Sequence, residues 1–287
     1  MFDDYILVEK GHIVKRPSAQ IKSPYVCDVV LEAHEEEEDE DEDKVAMTLG
    51  HTPSLGCNGL VDTGADVYLT RKNNTKKTSG KCTHTVKFGI CDETIIGVEP
   101  AMAEKIAEAV LEEGRLTSLQ SKTLSKQVSY EDCRFDFAGV TTSNEAFICE
   151  VKNVSIAVYE NIRPSLLKKR DYSQRDPNSK IAIFPSGFVP AGKTHSPRAV
   201  KQLTLLTRIK KERPEVRCVV MYVIQRDDIA CFQLSAGDAI YQETVEAAKA
   251  AGVEFIAINT RYELFDDPET TGKMTVKCLF DKEVVME

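Results

Sequence analysis

The sequence predicts an α/β protein, α+β overall, made of a small N-terminal β-barrel followed by a larger unit built around one mixed sheet. Three observations lead there. The first 98 residues read as short strands separated by turn residues, whereas the remainder alternates helical and strand periodicities. Two apolar strand-like runs, one marked by Phe147, Ile148, Cys149, Val151, Val154 and Ile156 and the other at 216–225 with a β-branched core, are interleaved with helical segments. The length of 287 residues and 42% hydrophobic content suffice for two such units.

In chain order, strands are predicted at 5–9, 26–33, 45–49, 67–71, 83–88 and 94–98, parted by Pro17, Pro24, Gly50, Gly56, Gly64, Gly80 and Gly89. Closing them into a barrel removes the open sheet edges. Residues 100–114 read as a helix, with Pro100 near its start, Gly114 just past its end, and Met102, Ile106, Val110 and Leu111 as its apolar stripe. A hairpin around 134–155 follows, then a strand at 180–185. A helix runs from 196 to 212, with Ser196 and Pro197 as N-cap and first position. A buried strand at 216–225, a helix at 241–251 ended by Gly252, and a strand at 253–259 complete the series. The expected partition is 1–98 for the barrel, 99–265 for the α/β unit and 266–287 as a C-terminal extension.

The formal net charge of -9 argues against a nucleic-acid partner until its source is located. Residues 35–43 are nine consecutive acids, and the rest of the chain carries 37 acids against 37 bases. Such a block repels itself and is expected to be a disordered insertion in a barrel loop. By contrast, residues 163–217 hold 14 lysines and arginines against four acids, a surface suited to backbone phosphates. Arg198 and Lys201 share one helix face near an N-terminus, where the helix dipole also favours anions. Arg71, Lys72, Lys76, Lys77 and Lys81 form a second basic stretch in a barrel loop. Either stretch would also serve simply as a solvated, solubilising surface.

The nine cysteines are scattered, with no C-x-x-C pair, and are expected to be reduced thiols; Cys82 and His84 lack the partners of a zinc site. No apolar run approaches the roughly 18 residues of a membrane span. The segment MFDDYILVEKGH has early acids and no cationic region. A soluble, intracellular protein of cytoplasm or nucleus, without membrane partners, is expected. Sequence leaves open whether it is a monomer or a homodimer.

The chemistry concentrates in the hairpin. Asp136 lies in one strand and Glu150 and Lys152 in the next, and period-two alternation puts Glu150 and Lys152 on one face. Closure through 141–145 brings Asp136 alongside them. Two carboxylates and an ammonium can hold Mg²⁺ (or Mn²⁺) with room for waters and a phosphate oxygen, while the lysine orients the attacking water. The D, spacer, E-x-K order resembles the PD-(D/E)XK nuclease core. The same trio would also make a salt bridge on a solvated hairpin, but Phe147, Ile148, Cys149, Val151 and Val154 make the strand too apolar for a surface ornament.

Longer stretches carry a closer likeness: GHIVKRP at Gly11, HTPSLG at His51, NNTKKTSGKCTH at Asn73, EAVLEEGRL at Glu108, RFDF at Arg134, EVKNV at Glu150, IAIFPSG at Ile181, SPRAVKQL at Ser196, VIQRDD at Val223 and AAGVEFIAI at Ala250. In these the chain resembles the sugar fermentation stimulation protein family (SfsA). The resemblance implies an OB-like barrel joined to a nuclease-like α/β domain, sequence-nonspecific DNA binding, and a traditional label as a regulator of sugar metabolism. It places Asp136, Glu150 and Lys152 on the family's acidic and E-V-K positions, Arg198 and Lys201 on its R-x-x-K helix, and Lys76 and Lys77 on its basic barrel loop. Three positions depart from the pattern, with Glu99 and Glu104 in place of asparagines and Gln202 in place of a histidine. Two readings of function follow, a DNA-binding protein that cleaves phosphodiesters and one that binds without turnover. A third, a small-molecule or cysteine-dependent enzyme, finds no dinucleotide fingerprint, phosphate loop or nucleophile elbow to support it.

Overall fold

The computed structural model describes residues 5–32, 47–55, 57–72, 81–167, 169–185, 189, 192–267 and 274–286. The acidic run at 35–43 and the loop lysines Lys76 and Lys77 lie outside the described residues. The chain divides into two compact units, Phe2–Met102 with Arg261–Leu279, and Ala103–Thr260 with Phe280–Glu287.

The first unit is a closed five-stranded barrel. Its strands are β1 (Ile6–Lys15), β2 (Val26–Leu31), β3 (Met47–His51), β4 (Asp66–Arg71) and β5 (His84–Cys91), with β6 (Thr94–Gly97) appended to β5. Antiparallel pairings join β1 to β2, β2 to β3, β4 to β5 and β4 to β1, and a parallel pairing of β3 with β5 closes the ring. Alternation in each strand sends Ile13, Cys27, Val29, Val67, Leu69, Val86 and Ile96 inward, where each is buried. Each such aliphatic side chain contributes roughly 1.5–3 kcal/mol of burial. Gly11 is paired with Leu31 of β2 on one side and with Val67 of β4 on the other. A Cβ there would lie 2.8 Å from the Val29 side chain and 2.9 Å from the Val30 carbonyl, so this position demands glycine.

The second unit opens with α1 (Pro100–Glu112). It continues through β7 (Ser121–Tyr130), β8 (Cys133–Thr141), β9 (Ala146–Val154), β10 (Ala157–Val158), α2 (Pro164–Leu167), β11 (Lys180–Phe184), α3 (Pro197–Glu212), β12 (Arg217–Ile224), β13 (Ile229–Leu234), α4 (Ala239–Ala250), β14 (Glu254–Asp266) and β15 (Met274–Glu283). Its main sheet runs β7, β8, β9, β12, β14, antiparallel in the β7–β8–β9 meander and parallel where β12 lies between β9 and β14. A small sheet of β10, β11 and β13 accompanies it. The start of β15 belongs to the barrel unit, where it pairs with β1 (Ile6 opposite Val276).

Strand β12 is buried from Cys218 to Ile224, as its unbroken apolar run requires of a central parallel strand. Helix α3 turns Ala199, Gln202, Leu203, Leu205, Leu206 and Ile209 to the core and leaves Arg198 and Lys201 outside. Ser196 and Pro197 do start α3, although the Ser196 side chain makes no capping hydrogen bond. Asp238 caps α4 by accepting from the Tyr241 N–H at 3.0 Å. All nine cysteines are free. His84 is occupied by Glu9 at 2.8 Å and by the Thr48 and Thr83 hydroxyls. Among the described residues no helix is long and apolar enough to cross a membrane.

Candidate active site

The β8–β9 hairpin forms with the expected turn. Thr141 N–H donates to Glu145 O at 2.9 Å, and Asn144 takes the left-handed conformation at φ 64° that a tight turn needs. The last paired residues are Phe137 and Cys149, so the next step of the same register sets Asp136 across from Glu150. On the other side of β8, Lys126 pairs with Phe137 and Val128 with Phe135, which sets Gln127 across from Asp136. Glu150 in turn is level with Val220 of the central strand β12. One row across the sheet therefore reads Gln127, Asp136, Glu150. Gly139 permits the meander to close, since a Cβ there would lie 1.9 Å from the Thr123 carbonyl.

Asp136 and Glu150 are both buried, at 7% and 3% exposure. Asp136 Oδ2 accepts the Val151 N–H at 2.8 Å, and Gln127 Nε2 lies 3.5 Å from Asp136 Oδ1. The same Gln127 amide donates to Glu104 Oε2 at 2.8 Å, so it joins a helix α1 carboxylate to the row. Lys152 Nζ donates to Glu150 Oε1 at 2.5 Å and to Gln202 Oε1 at 2.9 Å. Glu150 Oε2 is buried and has no hydrogen-bond partner among the described residues.

Electrostatics follow from this burial. Loss of water pushes the Glu150 carboxyl up to about 7, with Lys152 pulling it down and Asp136 adding to the rise. Burial likewise raises Asp136, against the Val151 N–H, Lys152 and Arg198. Glu104 is raised by burial first and by Asp136 second. The pocket thus resists its own negative charge. Among the described residues no group of three or more His, Cys, Asp or Glu is arranged to hold a metal; the closely placed buried carboxyls here are Asp136 and Glu150.

The sequence-predicted residues divide accordingly. Asp136, Glu150 and Lys152 come together. Arg198 is exposed, and its charge acts on Asp136, Glu150 and Glu104, which places it at their rim. Lys201 is exposed but ion-paired to Asp132 at 2.5 Å. Arg71 and Lys81 are exposed on the barrel unit. The charge surplus of 163–217 is smaller in space than in sequence. Lys180 is buried against Asp228 at 2.7 Å, Arg217 pairs with Glu254, Arg208 with Glu131, and Arg170 with Glu160. Gln127 was missed because an amide in a polar strand carries no catalytic signature; its φ of 53° and its place opposite Asp136 appear only in the fold.

Comparison with known proteins agrees with the motif reading. Residues 176–265 match the family model described as the sugar fermentation stimulation protein RE domain. A sugar fermentation stimulation protein homolog of Crocosphaera subtropica is 24% identical over 81% of this chain and 82% of its own. One of Agrobacterium fabrum is 27% identical over 73% of this chain and 76% of its own. The solved structure of Pyrococcus furiosus SfsA in complex with Ca²⁺ superposes with a TM-score of 0.65 at 14% identity, covering 98% of this chain and 96% of that one, and shows a shared fold. Residues 176–265 thus match the sugar fermentation stimulation protein RE domain, and the chain is similar over most of its length to proteins of that name.

Proposed function

We propose that this protein binds DNA without reading its sequence and hydrolyses phosphodiesters with a divalent cation, Mg²⁺ or Mn²⁺, at Asp136, Glu150 and Lys152. The observation that carries the proposal is the buried Glu150 Oε2, which no donor among the described residues satisfies, beside a second buried carboxylate and a lysine. A hard cation held by two carboxylates, with waters and substrate oxygens completing its shell, suits that donor set. The related Pyrococcus furiosus protein was solved with Ca²⁺, which supports a divalent ion. A bound cation would supply charge stabilisation at the phosphate and an activated water.

The chain's own residues do the rest. Val151 N–H fixes the Asp136 carboxylate in orientation. Glu150 and Gln202 clamp two of the three Lys152 protons, leaving one to donate to a water or a phosphate oxygen at a set position. Arg198 at the rim meets the incoming phosphodiester, and Arg71, Lys76, Lys77, Lys81 and Lys201 contribute sequence-blind attraction. The close Lys152–Glu150 ion pair favours a second reading, a DNA-binding regulator on the same scaffold with no turnover. Incubation with plasmid and single-stranded DNA in Mg²⁺, Mn²⁺ or EDTA separates the two. Metal-dependent nicking is expected; DNA binding with no cleavage in any metal would establish the second reading instead.

A further inference from the structure

The barrel carries a stacked aromatic pair, one ring exposed and the other half-buried, outside the Asp136 and Glu150 cluster. Tyr25, just before β2, and His51, the last residue of β3, stack with ring centroids 6.4 Å apart and planes 18° from parallel. Tyr25 is 42% exposed. Its backbone is held firmly. The carbonyl of Tyr25 accepts the Thr52 N–H at 2.9 Å, and the carbonyl of Pro24 accepts the Arg16 Nε–H at 2.9 Å. Arg16, nearly buried, also donates to the carbonyls of Ser54 and Val61, so one guanidinium ties together the loops on both sides of the pair.

Cations stand next to these rings. Burial first, and then the charge of Lys72, lower the His51 imidazole from its ordinary range, with Lys87 adding and Glu99 opposing. Lys87 is paired with Glu99 at 2.6 Å, whereas Lys72 begins the β4–β5 connection that also includes Lys81. A five-stranded closed barrel of this topology offers the surface of its second and third strands, with the adjoining loops, to oligonucleotides. A preorganised aromatic face beside a cationic loop is what a sequence-tolerant single-strand site requires, because every base has a π-face and every linkage a phosphate.

We propose that the Tyr25–His51 stack is a platform for an unpaired base of single-stranded DNA, with Arg71, Lys72 and Lys81 meeting the flanking phosphates. This deepens the DNA-binding reading above and rests on it. A duplex hides its base faces, so the platform favours single strands, frayed ends or flaps.

Fluorescence anisotropy tests this with three labelled probes on the full chain: an oligothymidylate of roughly 15 nucleotides, an abasic oligomer of the same length, and a duplex. The oligothymidylate is expected to bind more tightly than the abasic strand. Tyr25→Ala is expected to weaken oligothymidylate binding about 5- to 150-fold while leaving the abasic probe unchanged, and Tyr25→Phe to retain parental affinity. Equal losses on the oligothymidylate and abasic probes would overturn the platform, as would no loss on either. If the duplex binds with a steep salt dependence while Tyr25→Ala is silent on the oligothymidylate, the platform falls and sequence-blind binding stands. If the parent binds none of the three probes at low salt, both fall.

Discussion

Neutralising Glu150 is expected to stabilise the metal-free protein and to remove part of its pH dependence. The folded site raises the Glu150 carboxyl from an ordinary 4.5 to about 7, chiefly through burial. At 1.36 kcal/mol per tenfold change in acidity, the ionised side chain costs the fold about 3 kcal/mol relative to the protonated one. The sign follows from proton counting. Between the two values the folded state holds a proton that the unfolded state has lost, so the contribution is full below about 4.5 and disappears as pH rises through about 7. Glu150→Gln keeps the shape and an acceptor for Lys152 but does not titrate. Urea unfolding of parent and variant in EDTA at pH 5, 6, 7 and 8 should show the parent losing about 2–3 kcal/mol relative to the variant across that range. Comparing the two proteins cancels the titrating groups that do not interact with Glu150; Asp136, which does, is raised in the same direction and adds to the same trend. A difference that stays constant with pH, or grows in the parent's favour, would refute a buried, charge-averse Glu150.

Three further outcomes follow from the same geometry. Affinity for duplex DNA should fall steeply between about 50 and 200 mM salt for all sequences alike; Arg198→Ala should lower the salt slope by about one, Lys201→Ala by less because Lys201 is paired with Asp132, and strong preference for one sequence would contradict this. Gln202→Leu removes the second acceptor of Lys152 and is expected to cost about 1–3 kcal/mol of stability and to lower kcat more than KM, whereas an unchanged kcat would show that Lys152 needs no such clamp. Moving the nine acids of 35–43 to the C-terminus should tighten DNA binding at low salt if they compete from their native loop, and equal affinity of the two arrangements would leave only a bulk charge effect.

The barrel was legible because short β-rich runs are parted by Pro17, Pro24, Gly64 and Gly80; β2, β4 and β6 fall within two residues of the expected spans. That Asp136, Glu150 and Lys152 come together was legible because E-x-K on a strand fixes a shared face and the hairpin turn supplies the carboxylate opposite. Strand β7 was not. Its sequence SKTLSKQVSY is polar on both faces and largely exposed, so no periodicity marks it, and Gln127 was lost with it. Strand β15 was likewise unread, because one of its two neighbours in the sheet is β1 at the other end of the chain. Counting cations along 163–217 overstated the basic surface, because Asp228, Glu254, Glu131 and Glu160 reach those side chains only after folding.

The central claim is that Asp136 and Glu150 hold a divalent cation, and isothermal titration with Mn²⁺ tests it most directly. The parent should take up an ion at this site, and Asp136→Asn and Glu150→Gln, each verified as folded by its unfolding transition, should both lose that binding along with metal-dependent cleavage. Undiminished Mn²⁺ binding in both variants would contradict the assignment of the site.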